Sequence, residues 1–188
     1  MVQGYVIFGL FLCLIVLVIT RVQQLRKVGI HAMHFGKMDK KDFLIPPFVL
    51  LFLYLLIANV WSLPGSGGYL FSNSIVAWIG VGFGVLGVLF FAWALVSFGQ
   101  SFRVGIDEND PGKLVTSGAF AISRNPIYVA FFFVLLGIFL VLPSWVFLLV
   151  LLAACALFTR QILLEEKSLE KVYGDEYREY CAKVRRFL

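Results

Sequence analysis

The sequence predicts an all-α integral membrane protein of about five transmembrane helices followed by an amphipathic C-terminal helix, and three observations carry that reading. Of the 188 residues, 61% are hydrophobic and only 14% are charged, an apolar content beyond what a soluble domain of this size buries. Residues 43–102 and 125–159 contain no Asp, Glu, Lys or Arg. A spanning helix needs about 20 apolar residues, so each stretch holds two spans. Beyond Arg160, Leu169, Val172, Tyr173, Tyr177, Tyr180 and Val184 recur at three- and four-residue spacing, the pattern of a helix that lies on the membrane surface or caps the bundle.

The elements follow in order. Residues 4–20 form the first span; no basic n-region or small-residue cleavage site accompanies it, so it is expected to be retained and not removed as a signal. Arg21, Arg26, Lys27, Lys37, Lys40 and Lys41 come next, and the positive-inside rule places that loop in the cytoplasm and the N-terminus outside. A second span over about residues 44–63 ends at Pro64-Gly65-Ser66-Gly67-Gly68, a turn by its backbone requirements and external by alternation. The third span covers residues 74–98 and leads into a polar stretch, 99–123, with Arg103, Asp107, Glu108, Asp110 and Lys113. Spans at 126–142 and 145–164 are separated only by Pro143-Ser144, which predicts a tight helical hairpin. The first loop, residues 99–123 and the tail then meet on the cytoplasmic face of a single domain, 1–188. The expected location is multi-pass in the plasma or inner membrane of a prokaryote.

Several function classes drop out. The net charge of +5 is concentrated beside the spans, which makes it a topological and lipid-headgroup feature and not a nucleic-acid surface. Cys13, Cys155 and Cys181 are odd in number and lack C-x-x-C spacing, so they are expected to be reduced and structural. His31 and His34 have i, i+3 spacing but no neighbouring ligand cluster in sequence, and no metal site is expected. Gly82-Phe83-Gly84-Val85-Leu86-Gly87 matches G-x-G-x-x-G inside a charge-free helix with no strand before it, which removes the dinucleotide context. Gly80-x-x-x-Gly84 in the same run is better explained by close helix packing in lipid.

Two clusters remain. Arg124-Asn125-Pro126-Ile127-Tyr128 reads as a helix start, with Asn at the N-cap and Pro at the first helical position. A helix start accounts for neither Arg124 at the mouth of an apolar span nor the Tyr128 hydroxyl one turn inside it, and a helix N-terminus also favours an anion. Glu165-Glu166 ends the last span about one turn after Arg160 and Gln161. Acidic groups at membrane depth are costly and usually face a polar cavity or a partner; an interfacial ion pair of Glu166 with Lys167, or of Glu165 with Arg160, is the alternative.

Leu114-Val115-Thr116-Ser117-Gly118-Ala119-Phe120, Ser123-Arg124-Asn125-Pro126-Ile127-Tyr128, Glu165-Glu166-Lys167-Ser168-Leu169 and Tyr173-Gly174-Asp175-Glu176-Tyr177-Arg178-Glu179-Tyr180 together resemble the isoprenylcysteine carboxyl methyltransferase family and its phospholipid N-methyltransferase relatives. The resemblance covers about residues 99–188 and rests on the order and spacing of the motifs; residues 1–98, the three N-terminal spans, match in character only. It implies a cytoplasmic S-adenosylmethionine site without a Rossmann domain, lined by Lys113, Leu114, Val115, Gly118, Phe120, Arg124, Asn125, Pro126, Ile127, Tyr128 and Glu165. It also implies that Glu166, Arg160 and Gln161 face the acceptor. Asn125 stands where the eukaryotic enzymes have His, Phe120 where they have Tyr, and Gln161 where they have a substrate-contacting Arg.

The expected reaction is methyl transfer to a lipophilic or lipid-modified acceptor at the membrane, with membrane lipids as neighbours. A carboxylate acceptor is already ionised at neutral pH, whereas an amine or thiol must lose a proton and would use a nearby Glu such as Glu166. Two other readings stay open. One is an NADPH-dependent membrane reductase of the sterol reductase type, which resembles this family in its C-terminal half. The other is a non-enzymatic scaffold or transporter subunit, against which the first three spans offer no charged pathway.

Overall fold

Helices form where the apolar runs lie, and capping residues mark the ends of several of them. The computed structural model of the chain describes residues 2–27, 45–63, 68–99 and 113–188. Six α-helices occur among them, with a short 3-10 turn at Gly118–Ala121. They are α1 (Val2–Lys27), α2 (Ile45–Val60), α3 (Ser74–Phe98), α4 (Pro126–Val141), α5 (Trp145–Tyr173) and α6 (Asp175–Lys183). By length and composition α1, α3 and α5 can cross a membrane. The apolar helices α2 and α4 have 16 residues each, about 24 Å of helix.

At one end of the bundle the chain is tied tightly. Asn73 caps α3, its side chain accepting from the Ile75 and Val76 amides at 2.9 and 3.2 Å. Ser144 caps α5 by accepting from the Phe147 amide at 3.4 Å. The Leu70 amide donates to the Pro143 carbonyl at 2.6 Å, and Tyr69 bridges Ser144. These contacts pin the approach to α3 against the Pro143-Ser144 hairpin tip that the sequence predicts.

The α3–α4 seam is built on missing side chains. A Cβ on Gly80 would sit 2.8 Å from the Gly137 carbonyl oxygen, one on Gly137 2.6 Å from that of Gly80, and one on Gly87 2.9 Å from that of Ala130. A Cβ on Gly82 meets nothing within 4 Å. The glycines therefore serve helix packing, as lipid-embedded bundles require, and the ones that matter follow the i, i+4, i+7 face, not the G-x-G-x-x-G pattern. Ile7, Phe11 and Leu14 of α1, Leu56 of α2, Phe91 of α3, Val134 and Ile138 of α4 and Phe147 of α5 fill the core.

Three expectations need correction. α1 does not stop at residue 20: Arg21, Arg26 and Lys27 belong to its last turns, where cations complement the helix dipole. α2 ends at Val60, three residues early. α5 continues unbroken through Arg160 to Tyr173, so Leu169 and Val172 extend the span's own helix. The break comes at Gly174, whose φ of +54° caps both helices. α6 then caps the bundle end, with Tyr177 and Tyr180 buried.

The Arg21 guanidinium donates to the Gly99 carbonyl, so the basic end of α1 and the end of α3 share one end of the bundle. His31, His34, Lys37, Lys40 and Lys41, the core of the Gly/Pro turn, and Arg103, Asp107, Glu108 and Asp110 lie outside the described residues. The three cysteines are unbridged.

Candidate functional site

The site is assembled at the end of the bundle where α3 and α5 finish and α4 begins. Its wall starts at Gly118, whose φ is +63° and whose missing side chain makes room for Ser97. Ser97 Oγ accepts from the Ala119 amide at 3.0 Å, so the end of α3 sets the height of the 3-10 turn. Phe120 is thereby buried, edge-on to Phe98 with ring centroids 4.8 Å apart. Its carbonyl accepts from the Tyr180 hydroxyl of α6 at 2.6 Å. Leu114 and Val115, half-buried, and Lys113, exposed, lead into this turn.

The chain then enters α4. Pro126 occupies the first turn, as the spacing predicts, but the Asn125 side chain does not cap the helix. It donates instead to the Arg186 carbonyl at 3.1 Å. Ser123 Oγ accepts from the Asn125 amide at 3.1 Å, and the Arg124 amide donates to the Arg185 carbonyl at 2.9 Å. The expected Asn N-cap is therefore replaced by a contact with the tail, and the first turn of α4 has no side-chain cap.

Two carboxylates of α5 face this wall with different partners. Glu165 Oε1 accepts from the Tyr128 hydroxyl at 2.7 Å and from Gln161 Nε2 at 3.2 Å. Tyr128 in turn packs on Phe158, ring centroids 5.4 Å apart, and Phe158 on Phe131 at 5.9 Å, an aromatic floor that runs down to the core at Phe91. Glu166 pairs with Arg124 at 3.2 Å and with Arg186 Nη2 at 2.8 Å, and Arg186 Nε lies within 3.0 Å of the same carboxylate. The side chains of Arg124 and Glu166 are each only 12% exposed, which excludes most of the solvent that weakens surface pairs. Arg124 Nε is buried with no hydrogen-bond partner among the described residues.

The structure thus gathers Phe120, Arg124, Asn125, Pro126, Tyr128, Gln161, Glu165 and Glu166, with Gly118 and Ile127 beside them. Arg160 is exposed and stands about 100° around α5 from Gln161. Glu166 takes Arg124 and Arg186 as ion partners, where the sequence offered Lys167. Arg186, Tyr177 and Tyr180 were not singled out as site residues. The tyrosines were legible only as an apolar stripe, and Arg186 only as one of two adjacent arginines after it.

Electrostatics outside the spans fit this arrangement. Burial pushes the Tyr180 phenol up to about 12. It raises that of Tyr177 as well, with the Glu166 charge and the Cys181 neighbour adding to the effect. The hydrogen bond to Glu166 raises Arg186 further above its ordinary value. Both tyrosines are neutral donors at physiological pH, and Arg186 is fully charged. Among the described residues no group of three or more His, Cys, Asp or Glu side chains comes together.

The model of the phospholipid methyltransferase family matches residues 75–176, from the first turn of α3 to that of α6. The chain is 38% identical over 107 residues to the protein-S-isoprenylcysteine O-methyltransferase of Schizosaccharomyces pombe, a match covering 55% of this chain and 45% of that protein. It is 31% identical over 115 residues to a probable protein-S-isoprenylcysteine O-methyltransferase of Oryza sativa subsp. indica, covering 58% of this chain and 59% of that one. The subsp. japonica protein of the same description matches to the same extent. The chain spans about half the length of the curated relatives it matches.

Proposed function

The chain belongs to the phospholipid methyltransferase family, and from that premise we propose that it methylates the carboxylate of a lipid-modified acceptor, using S-adenosylmethionine, on the cytoplasmic side of the membrane. The relatives' names as isoprenylcysteine O-methyltransferases support the acceptor class. The observation that carries the choice of a carboxylate over an amine or thiol is the state of the two acids. Glu165 already accepts from Tyr128 and Gln161, and Glu166 from Arg124 and Arg186. Glu165 Oε1 and both oxygens of Glu166 thus already meet internal donors, which disfavours either acid as the base. An amine or thiol must surrender a proton to a base, whereas a carboxylate arrives ionised and needs none.

The donor set suits the cofactor. Arg124 Nε, buried and without a partner among the described residues, and the uncapped first turn of α4 would take its carboxylate, since a helix N-terminus and a guanidinium both favour anions. Glu165 would accept from its amino group, and Phe120, Ile127, Leu114 and Val115 would cover the adenosine, with Lys113, Gly118, Asn125 and Pro126 shaping the rim. When bound, S-adenosylmethionine supplies an electrophilic sulfonium methyl. The residues need then only orient the acceptor and exclude water, effects that remove much of such a barrier. Tyr128 and Gln161 hold Glu165 in place, and Arg124 holds Glu166. Gln161, with Arg160 beside it at the rim, and Glu166 on the other side of Glu165 would be the residues that face an acceptor.

Charge supports this sidedness. The Arg21, Arg26 and Lys27 end of α1 lies at the same end of the bundle as the site, through the Arg21–Gly99 contact, and basic flanks stay in the cytoplasm. Exposed Leu157, Leu163 and Leu164 on α5 give a lipophilic acceptor an apolar approach from the bilayer.

The test is transfer of labelled methyl from S-adenosylmethionine by the reconstituted chain, with an S-farnesylated cysteine derivative and phosphatidylethanolamine offered side by side. The expected label is a methyl ester on the farnesylated carboxylate, released as methanol by alkali. Alkali-stable label in the phospholipid amine would reverse the acceptor assignment.

A further inference from the structure

Residues 174–188 make more polar contacts with the site than their position at the far end of the sequence would suggest. Tyr180 Oη donates to the Phe120 carbonyl at 2.6 Å. The Arg185 carbonyl accepts from the Arg124 amide at 2.9 Å. The Arg186 carbonyl accepts from Asn125 Nδ2 at 3.1 Å and from Ser123 Oγ at 3.4 Å. The Arg186 guanidinium engages both oxygens of Glu166, Nε at 3.2 and 3.0 Å and Nη2 at 2.8 Å. Four residues of the wall, Phe120, Ser123, Arg124 and Asn125, and one acid of α5 thus depend on one segment for hydrogen-bond partners. Buried polar groups left without partners are costly, so the wall has this shape only while the segment is docked.

The segment joins α5 through a glycine turn, and its charged pairs outside the site are exposed. Gly174 turns at a φ of +54° with nothing within 4 Å of where its Cβ would be. The Arg178–Glu170 pair that straddles Gly174 and the Arg178–Asp175 pair just beyond it have side chains at least half exposed, and such pairs contribute little. Docking is therefore carried by the burial of Tyr177 and Tyr180 and by the contacts with the site itself. Arg186 is the one side chain of the segment that reaches an acid of α5 in a two-pronged pair, and its own side chain is still 41% exposed.

We propose that residues 174–188 form a strap whose docking completes the site, and that Arg186 is its positioning residue, holding Glu166 toward Arg124 and fixing Asn125 through its carbonyl. The strap touches neither methyl donor nor acceptor; it sets the wall and the acid that do. The inference rests on the methyltransferase reading above and extends it to a segment that lies largely beyond the matched family region, which ends at residue 176.

The test is calorimetric titration of the detergent-purified full chain with S-adenosylhomocysteine, paired with its thermal melting in the absence of ligand. Arg186→Gln is expected to weaken binding about tenfold, the scale of a charge-assisted hydrogen bond, with only a small drop in melting temperature because Arg124 still pairs with Glu166. Arg186→Lys should recover part of the loss, because a point charge cannot reproduce the fork. In a Glu166→Gln background Arg186→Gln should change binding less than about twofold, the signature of a coupled pair. In turnover the variant should raise the KM for S-adenosylmethionine more than it lowers kcat. Wild-type affinity in Arg186→Gln would overturn the strap proposal and leave the methyltransferase reading standing. An undiminished effect in the Glu166→Gln background, or a loss that follows the melting temperature and is not rescued by Lys, would overturn it too. Should Arg186→Gln not fold, Arg186→Lys against wild type carries the same comparison. A wild-type chain that binds no S-adenosylhomocysteine would remove the methyltransferase reading itself.

Discussion

Successive residues on a helix are rotated by about 100°, so two adjacent carboxylates face different surroundings. Glu165 accordingly meets Tyr128 and Gln161, and Glu166 meets the two arginines. Tyr180 works on the other side of the wall, and its chemistry gives a test at this scale. Burial holds its phenol at about 12, above the ordinary value of about 10. A raised value in the folded chain means that stability is complete below the unfolded value and is lost as pH rises through the folded one. Melting in detergent across a pH series should therefore show stability falling between pH of about 10 and 12. Tyr180→Phe should remove part of that fall while costing about 1 kcal/mol at neutral pH for the lost hydrogen bond. Superimposable profiles would contradict the assignment. Among single residues, Pro126, Tyr128 and Glu165 could be read from the sequence because helix-start chemistry and an acid at membrane depth are local signals. Asn125 was misread as a cap because its true partner, the Arg186 carbonyl, is distant in sequence.

At the scale of elements, the α3–α4 seam is where sequence and packing agree most closely. Gly80 and Gly137 meet backbone to backbone, so Gly137→Ala should destabilise the bundle by about 1–3 kcal/mol through overpacking. Gly82→Ala, facing open space, should be neutral or slightly stabilising, since Ala is the better helix former. Thermal or denaturant unfolding in one detergent checks both, and equal losses would place the close approach elsewhere. Helix ends were less legible. Residues 21–27 and 165–173 change from apolar to charged composition, which marks the membrane boundary and not the helix end; no Gly or Pro interrupts either run. α1 and α5 therefore continue past the lipid, and α5 stops only where Gly174 permits a positive φ.

For the whole molecule, charge-free runs and turn residues were enough to specify an antiparallel helical bundle with a hairpin, because lipid leaves the backbone few alternatives. The motifs converge at one end because α3 and α5 arrive where α4 departs. The sequence places the tail on the same face, but not the polar contacts by which residues 180–186 reach Phe120, Asn125 and Glu166, which no local pattern encodes. The account stands on a cofactor site made of the 3-10 turn, the start of α4 and Glu165. Its most direct measurement is calorimetric titration of the purified chain with S-adenosylhomocysteine and, separately, with NADPH, repeated on Tyr128→Phe. Saturable binding of S-adenosylhomocysteine, weakened about tenfold when Glu165 loses its tyrosine donor, is the predicted result; binding of NADPH alone, or of neither ligand, would contradict it.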